Sequence, residues 1–165
     1  NEMMKAWVRN LDGVAPVQVI WQTGKYYERE MQEFLRSHPT KNIWQGAFIE
    51  RMDYAYAAAD VVLSRSGACT VSELCLVAKP TIFVPSPNVA EDHQTKNAMA
   101  LVEQGAAEIV RDSEAVERGM HLAVELSRNG RRLEELSSNI AKLAISDSAD
   151  RVVRVIDEVL TEVKR

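Results

Sequence analysis

Residues 60–84, D-V-V-L-S-R-S-G-A-C-T-V-S-E-L-C-L-V-A-K-P-T-I-F-V, hold a complete strand–loop–helix–strand unit. The apolar run at 60–63 reads as a strand, and the small residues from Ser64 to Thr70 read as a turn. Residues 68–78 continue as a helix that Lys79-Pro80 stops, and residues 81–84 form the next strand. Short apolar strands joined through a helix pair in parallel, because a parallel neighbour requires a crossover connection.

The same alternation extends outward. Met3, Met4, Trp7, Val8 and Leu11 recur at helical spacing and open the chain with a helix. Gly13-Val14-Ala15-Pro16 reads as a connector, and residues 17–21 as a β-rich run ending at Gln22-Thr23-Gly24. Residues 25–37 carry a helical stripe of Tyr26, Tyr27, Met31, Phe34 and Leu35, stopped by His38-Pro39. Residues 42–48 are a strand and 53–59 a short Ala-rich helix, with Met52, Tyr56 and Ala59 turned inward. Downstream, residues 92–103 form a helix closed by Gly105, residues 107–110 a last strand, and Asp112 or Ser113 caps a further helix. Residues 129–144 and 147–163 complete the chain as two more helices. Trp7, Trp21, Trp44 and Cys75 are expected in the core, and the charged faces of residues 113–163 in solvent. The pattern is α/β, a parallel sheet with helices on both faces. The chain opens inside a helix with no strand before it, which suggests a fragment of a longer protein.

At 165 residues the chain can bury one substantial core. Its net charge of −4, with no basic run, argues against a non-specific nucleic-acid binder. Any phosphate must therefore be held locally. No apolar run reaches the length of a membrane span, roughly 18 residues, and no signal peptide is visible. Cys69 and Cys75, on one helix, stand about 9 Å apart at the helical rise, beyond disulfide reach. A reduced, cytoplasmic protein is the expectation.

In parallel α/β sheets, ligands bind beyond the carboxyl ends of the strands. Three loops share that edge here: residues 46–50, 64–70 and 85–94. In the second, Gly67 supplies backbone freedom, and Ala68 and Cys69 leave the helix start unobstructed. Unpaired N–H groups and the helix dipole suit a phosphate there, with Ser66 and Thr70 as hydroxyl donors and Arg65 as a nearby charge. An ordinary tight turn fits the same residues. Glu73 has two readings: Thr70-Val71-Ser72-Glu73 matches a capping box, or the carboxylate, one turn into the helix, grips the vicinal hydroxyls of a ribose. The cluster Glu91 to Asn97 offers amide and imidazole groups able to read sugar hydroxyls, or else a solvated helix start. Asp92 and His93 are too few for a metal site, and no paired carboxylate orients His93 as a base. In the first loop a flat base can be pinched beside Phe48 and Ile49, whose side chains are expected to be buried in either reading.

Taken together, F-I-E-R-M-D-Y-A-Y-A-A-A-D-V-V-L-S-R-S-G-A-C-T-V-S-E-L, P-T-I-F-V-P-S-P and D-H-Q-T-K-N-A resemble the lipid II-forming glycosyltransferases of peptidoglycan synthesis. These enzymes move N-acetylglucosamine from UDP to undecaprenyl-diphosphoryl-N-acetylmuramoyl pentapeptide. The resemblance covers essentially all 165 residues and implies a Rossmann-like domain, one half of a two-domain GT-B enzyme. Residues 1–165 would be the C-terminal, donor-binding half, with the acceptor- and membrane-facing N-terminal domain and a glycine-rich G-G-S loop absent.

The resemblance further implies that Ile49, with Phe48, reads uracil through its backbone. Ala68, Cys69, Thr70, Val71 and Ser72 would cover the diphosphate, with Ser66, Gly67 and Arg65 beside it. Glu73 would hold the ribose, and Gln94 with neighbouring His93 would meet the N-acetylglucosamine. Where His93 stands the family often has a second glutamine, so no fixed sugar contact is assigned to it. No cofactor or metal is obligatory. The general base and the inner-membrane contact would come from the missing domain, so the fragment is expected to bind donor weakly and not to turn over. A UDP-N-acetylglucosamine 2-epimerase and a non-catalytic nucleotide-binding module are the alternatives.

Overall fold

The computed structural model describes residues 1–11 and 17–163, with the side chains of 162 and 163 outside the description. The connector expected at 13–16 lies outside the described residues. Helix and strand alternate as the sequence predicts. The order is α1 (Glu2–Arg9), β1 (Val19–Gln22), α2 (Glu28–Ser37), β2 (Ile43–Gly46), α3 (Met52–Ala58), β3 (Val62–Ser64), α4 (Ala68–Leu76) and β4 (Thr81–Phe83). There follow α5 (His93–Val102), β5 (Glu108–Ile109), α6 (Ala115–Ser127), α7 (Gly130–Ala141) and α8 (Ser148–Val163). His38 caps α2, as expected. The expected cap at Asp112 or Ser113 is not formed. A 3-10 turn occupies Asp112–Glu114, and α6 starts after it without a side-chain cap.

Every strand pairing is parallel, in two groups: β1 with β2, and β3–β4–β5. β4 is paired on both edges and buried throughout, as a strand covered on both faces must be. Its side chains alternate between two apolar clusters. Phe83 joins Leu74, Cys75, Leu101 and Ile140, whereas Ile82 and Val84 join Val110, Leu126 and Leu136. A third cluster packs Met4, Trp7 and Val8 of α1 against Trp21, Met31 and Met120. α1 lies close on α6 because Gly119 has no side chain: a Cβ there would fall 2.3 Å from the Met3 sulfur. Asn1 docks the start of α1 on the end of β1, donating to the Thr23 carbonyl and accepting from the Trp21 indole.

Two residues expected in the core lie outside it. Trp44 is 51% exposed and Phe48 is 69% exposed. Trp44 pairs in register with Ile20, which is itself exposed, so the two share a face of the β1–β2 ribbon that the other described residues leave open. Phe48 lies past the last pair of that ribbon, in the loop beyond its carboxyl edge.

Candidate functional site

Within each group the strands are parallel, so the loops after β3 and β4 emerge on one edge of their sheet and hydrogen bonds tie them together, while the loop after β2 is tied to the end of β1. After β2, the Gly24 N–H donates to the Ala47 carbonyl and Thr23 bonds to the Gly46 carbonyl, through both its backbone N–H and its hydroxyl. The Ile49 N–H donates to the Gln22 side-chain oxygen at 3.0 Å. Phe48 stands exposed beside it, so the first loop offers an aromatic face next to a half-buried Ile49.

The loop after β3 leads straight into α4. Gly67 is the N-cap, with φ −64° and ψ 147°, and no side chain caps the helix. This backbone is open to any residue, so the glycine is not required for its angles. What it contributes is space, since a Cβ would meet nothing within 4 Å. Ala68 and Cys69 are exposed, and the first helical bond is the Val71 N–H to the Gly67 carbonyl at 2.9 Å. The amides of residues 68–70 precede that bond and form the uncapped start of the helix, at the positive end of its dipole.

Helix α4 removes the capping-box reading of Glu73. A capping box needs Thr70 at the N-cap, but the helix begins two residues earlier. Thr70 therefore lies inside the first turn and Glu73 one turn further on. Its carboxylate is exposed and accepts from the Tyr56 hydroxyl at 3.4 Å. Burial, reinforced by the Glu73 charge and hydrogen bond, raises the Tyr56 phenol above its ordinary value.

Ser66, expected as a hydroxyl donor to ligand, is fully buried. Its hydroxyl donates to the Gln94 carbonyl at 2.8 Å, and its own carbonyl accepts from the Asn97 amide at 3.0 Å. The Arg65 guanidinium reaches across the edge to the Val84 and Pro85 carbonyls at 2.9 and 3.1 Å and to the Asp112 carboxylate. In this arrangement Arg65 braces the loops after β3 and β4.

Before α5 the chain turns sharply. Glu91 and Asp92 both take left-handed angles, with φ of 54° and 52°, strained for residues bearing side chains. Local bonds hold the bend: Thr95 Oγ1 donates to Asp92, and His93 Nδ1 donates to the Ala90 carbonyl at 2.7 Å. A carbonyl only accepts, so the neutral His93 carries its proton on Nδ1 and leaves Nε2 as an acceptor. Gln94 is half-buried, and its Oε1 accepts the Ser86 N–H at 2.9 Å. With the oxygen engaged, the amide Nε2 remains as a donor. Among the described residues, no group of three His, Cys, Asp or Glu side chains is placed to hold a metal ion. Both cysteines are free, Cys75 buried with its thiol pushed up by desolvation and Cys69 exposed. No described helix is long and apolar enough to cross a membrane.

Hydrogen bonds thus bring the loop before α4 together with Ser86, Gln94 and Asn97, with Arg65 and Ser66 turned into the framework, while Phe48 and Ile49 stand in the loop after β2. The sequence does not assign Tyr56, Ser86 or Asn97 to the site. Asn97 stood within a motif already singled out, but its partner lies 31 residues away and no local pattern marks it.

Known proteins resemble this chain in sequence and fold. The profile of the glycosyltransferase family 28 C-terminal domain matches residues 1–152. A UDP-N-acetylglucosamine--N-acetylmuramyl-(pentapeptide) pyrophosphoryl-undecaprenol N-acetylglucosamine transferase of Bacteroides thetaiotaomicron is 54% identical over 150 residues, 90% of this chain and 40% of that protein. The enzyme of the same name from Porphyromonas gingivalis is 51% identical over 149 residues, 90% of this chain and 39% of that protein. The chain therefore spans about two fifths of the length of these curated relatives. Among solved structures, MurG of Acinetobacter baumannii superposes with a TM-score of 0.74 at 28% identity, over 94% of this chain and 48% of that one. The glycosyltransferase of kitacinnamycin shares the fold at a TM-score of 0.70 and 19% identity, over 93% of this chain and 39% of that one. With its profile matched over nearly the whole length and its fold shared, the chain belongs to the glycosyltransferase family 28 C-terminal domain family.

Proposed function

We propose that this chain is the donor-binding, C-terminal half of an inverting, MurG-type glycosyltransferase that transfers N-acetylglucosamine from UDP to lipid I, forming lipid II. The observation that carries the reading is the start of α4. It lacks a side-chain cap and its first residues are exposed, with a carboxylate one turn further in and Gln94 held beside the loop through the Ser66 hydroxyl. The names of the relatives at about half identity point the same way.

Each part of the donor has a chemical counterpart. The amides of residues 68–72 and the helix dipole suit the diphosphate and stabilise the charge that develops as UDP leaves. Glu73 suits the ribose hydroxyls, since an ionised acceptor makes the stronger hydrogen bonds. Ile49 suits the uracil edge once the Gln22 side chain releases its N–H, with Phe48 alongside. Gln94 offers its amide donor to the hydroxyls of N-acetylglucosamine, and His93 lies next to it. Charge on the leaving group is met by backbone and dipole, and the reaction as proposed calls on no metal.

The remaining parts belong to the other half of the enzyme: the general base, the undecaprenyl-diphosphoryl-MurNAc-pentapeptide contacts and the attachment to the cytoplasmic face of the inner membrane. The isolated chain then binds donor weakly and does not turn over. Titration with UDP-N-acetylglucosamine, UDP and ADP, followed by amide NMR, tests the reading. The uridine ligands should shift resonances around Ile49, Ala68 and Glu73, and ADP much less. Equal shifts with all three, or shifts elsewhere only, would reject it.

A further inference from the structure

We infer that Asn97 is a positioning residue for the diphosphate end of the donor, acting through the peptide between Ser66 and Gly67; this rests on the donor reading above. Residues 67–69, where the anion would rest, have no side-chain hydrogen bond to hold them among the described residues. A Cβ on Gly67 would meet nothing, and Ala68 and Cys69 are exposed. Their conformation is imposed from α5. The Asn97 amide, one turn into α5, donates 3.0 Å to the Ser66 carbonyl, and the Ser66 hydroxyl donates 2.8 Å to the Gln94 carbonyl at the start of the same helix.

Peptide planarity turns this grip into an aim. The Gly67 N–H belongs to the same peptide unit as the Ser66 carbonyl and, in a trans peptide, points to the opposite side. Drawing the carbonyl toward α5 therefore turns the Gly67 N–H away from α5 and holds the following amides in register with it. The clasp reaches the sugar end as well. Gln94 bonds Ser66 through its carbonyl and Ser86 through its side chain, so the loops meeting the two ends of the donor are braced against one another. Both Asn97 and Ser66 spend these polar groups inside the protein, so neither needs to touch ligand.

The test compares the intact chain with Asn97→Ala, which removes the grip, and Asn97→Asp, nearly equal in size but setting an acceptor against an acceptor. Each is titrated with UDP-N-acetylglucosamine, UDP and uridine under amide NMR. UDP should bind about ten-fold more weakly to Asn97→Ala, and more weakly still to Asn97→Asp, the scale of one lost hydrogen bond. Uridine, which does not reach the anion loop, should change by less than about two-fold. The spectra of the unliganded variants should differ from the parent chiefly at residues 66–70 and 94–97. Equal loss for uridine and UDP would mark general damage and overturn the inference, as would full UDP affinity in either variant. Loss of the folded spectrum in both would make Asn97 a framework residue and overturn it too. If the unsubstituted chain ignores UDP altogether, the donor reading itself fails and this inference falls with it. Unaffected variants of a chain that does bind UDP sink the inference alone.

Discussion

Glu73 decides how the site is understood, and its neighbour Tyr56 makes it measurable. With Glu73 free of the helix cap, Glu73→Ala should weaken UDP ligands by about 1.5–3 kcal/mol, the range for a hydrogen bond to a charged group. Calorimetry on the folded variant checks this, and an unchanged affinity removes Glu73 from the ribose site. Tyr56 supplies an independent reading. Burial is the larger cause of its raised pKa and Glu73 the lesser, so Glu73→Ala should bring the phenol partway back toward 10.0 without reaching it. An ultraviolet difference titration against Tyr56→Phe measures the shift. The sign for stability follows from the same direction. An acid with a raised folded pKa ionises first in the unfolded chain, so the contribution of Tyr56 is intact below about 10 and declines as pH climbs above it. Gln94 separates sugar from nucleotide: Gln94→Ala should weaken UDP-N-acetylglucosamine and leave UDP nearly unchanged, and equal loss for both would remove it from the sugar subsite.

At the level of elements, two helices end in the same hydrogen-bond pattern with different residues. After α5 the Ala106 N–H bonds to the Leu101 carbonyl and the Gly105 N–H to Val102, with Gly105 left-handed at φ 63°. After α4 the Lys79 N–H bonds to Leu74 and the Ala78 N–H to Cys75, but here an alanine takes φ 52°. Both are Schellman caps, and the left-handed position favours glycine. Ala78→Gly should therefore stabilise the chain by about 1 kcal/mol, the cost of αL for an ordinary residue. Gly105→Ala should destabilise it by a similar amount. Urea unfolding measures both. A destabilised Ala78→Gly would mean that the Ser137 hydroxyl, which donates to the Ala78 carbonyl at 2.8 Å, depends on the stiffer backbone.

For the molecule as a whole, two helices join the core. α6 places Met120 in the cluster around α1 and Leu126 in the cluster under β4, and α7 places Leu136 and Ile140 in two different clusters. Ile140→Ala should cost about 2–5 kcal/mol, as for a large aliphatic removed from a closed core. α8 is different in kind. Its described residues are exposed throughout, including Val152, Ile156, Val159 and Leu160, and its larger part lies beyond residue 152, where the matched family domain ends. Deleting residues 148–165 should leave the unfolding midpoint within error of the parent. A clear fall would mean that α8 stabilises the fold.

The alternation of strand and helix and the parallel direction of every described pairing were legible in the sequence, because local periodicity and stop signals mark the elements and a helical crossover makes the pairing parallel. The start of α4 was legible too, since small residues and a following apolar run mark it. Tertiary structure alone placed Phe48 and Trp44 in the open, buried the Ser66 hydroxyl against the Gln94 carbonyl, turned Arg65 onto the loop carbonyls and engaged the Gln94 side-chain oxygen with the Ser86 N–H. Those outcomes rest on partners that pattern does not reach: the Ser66 hydroxyl meets a carbonyl 28 residues away, and an uncovered sheet face has no signature of its own. Periodicity tells a side chain which face of its element it occupies, whereas burial and hydrogen bonding depend on what the rest of the chain brings to that face.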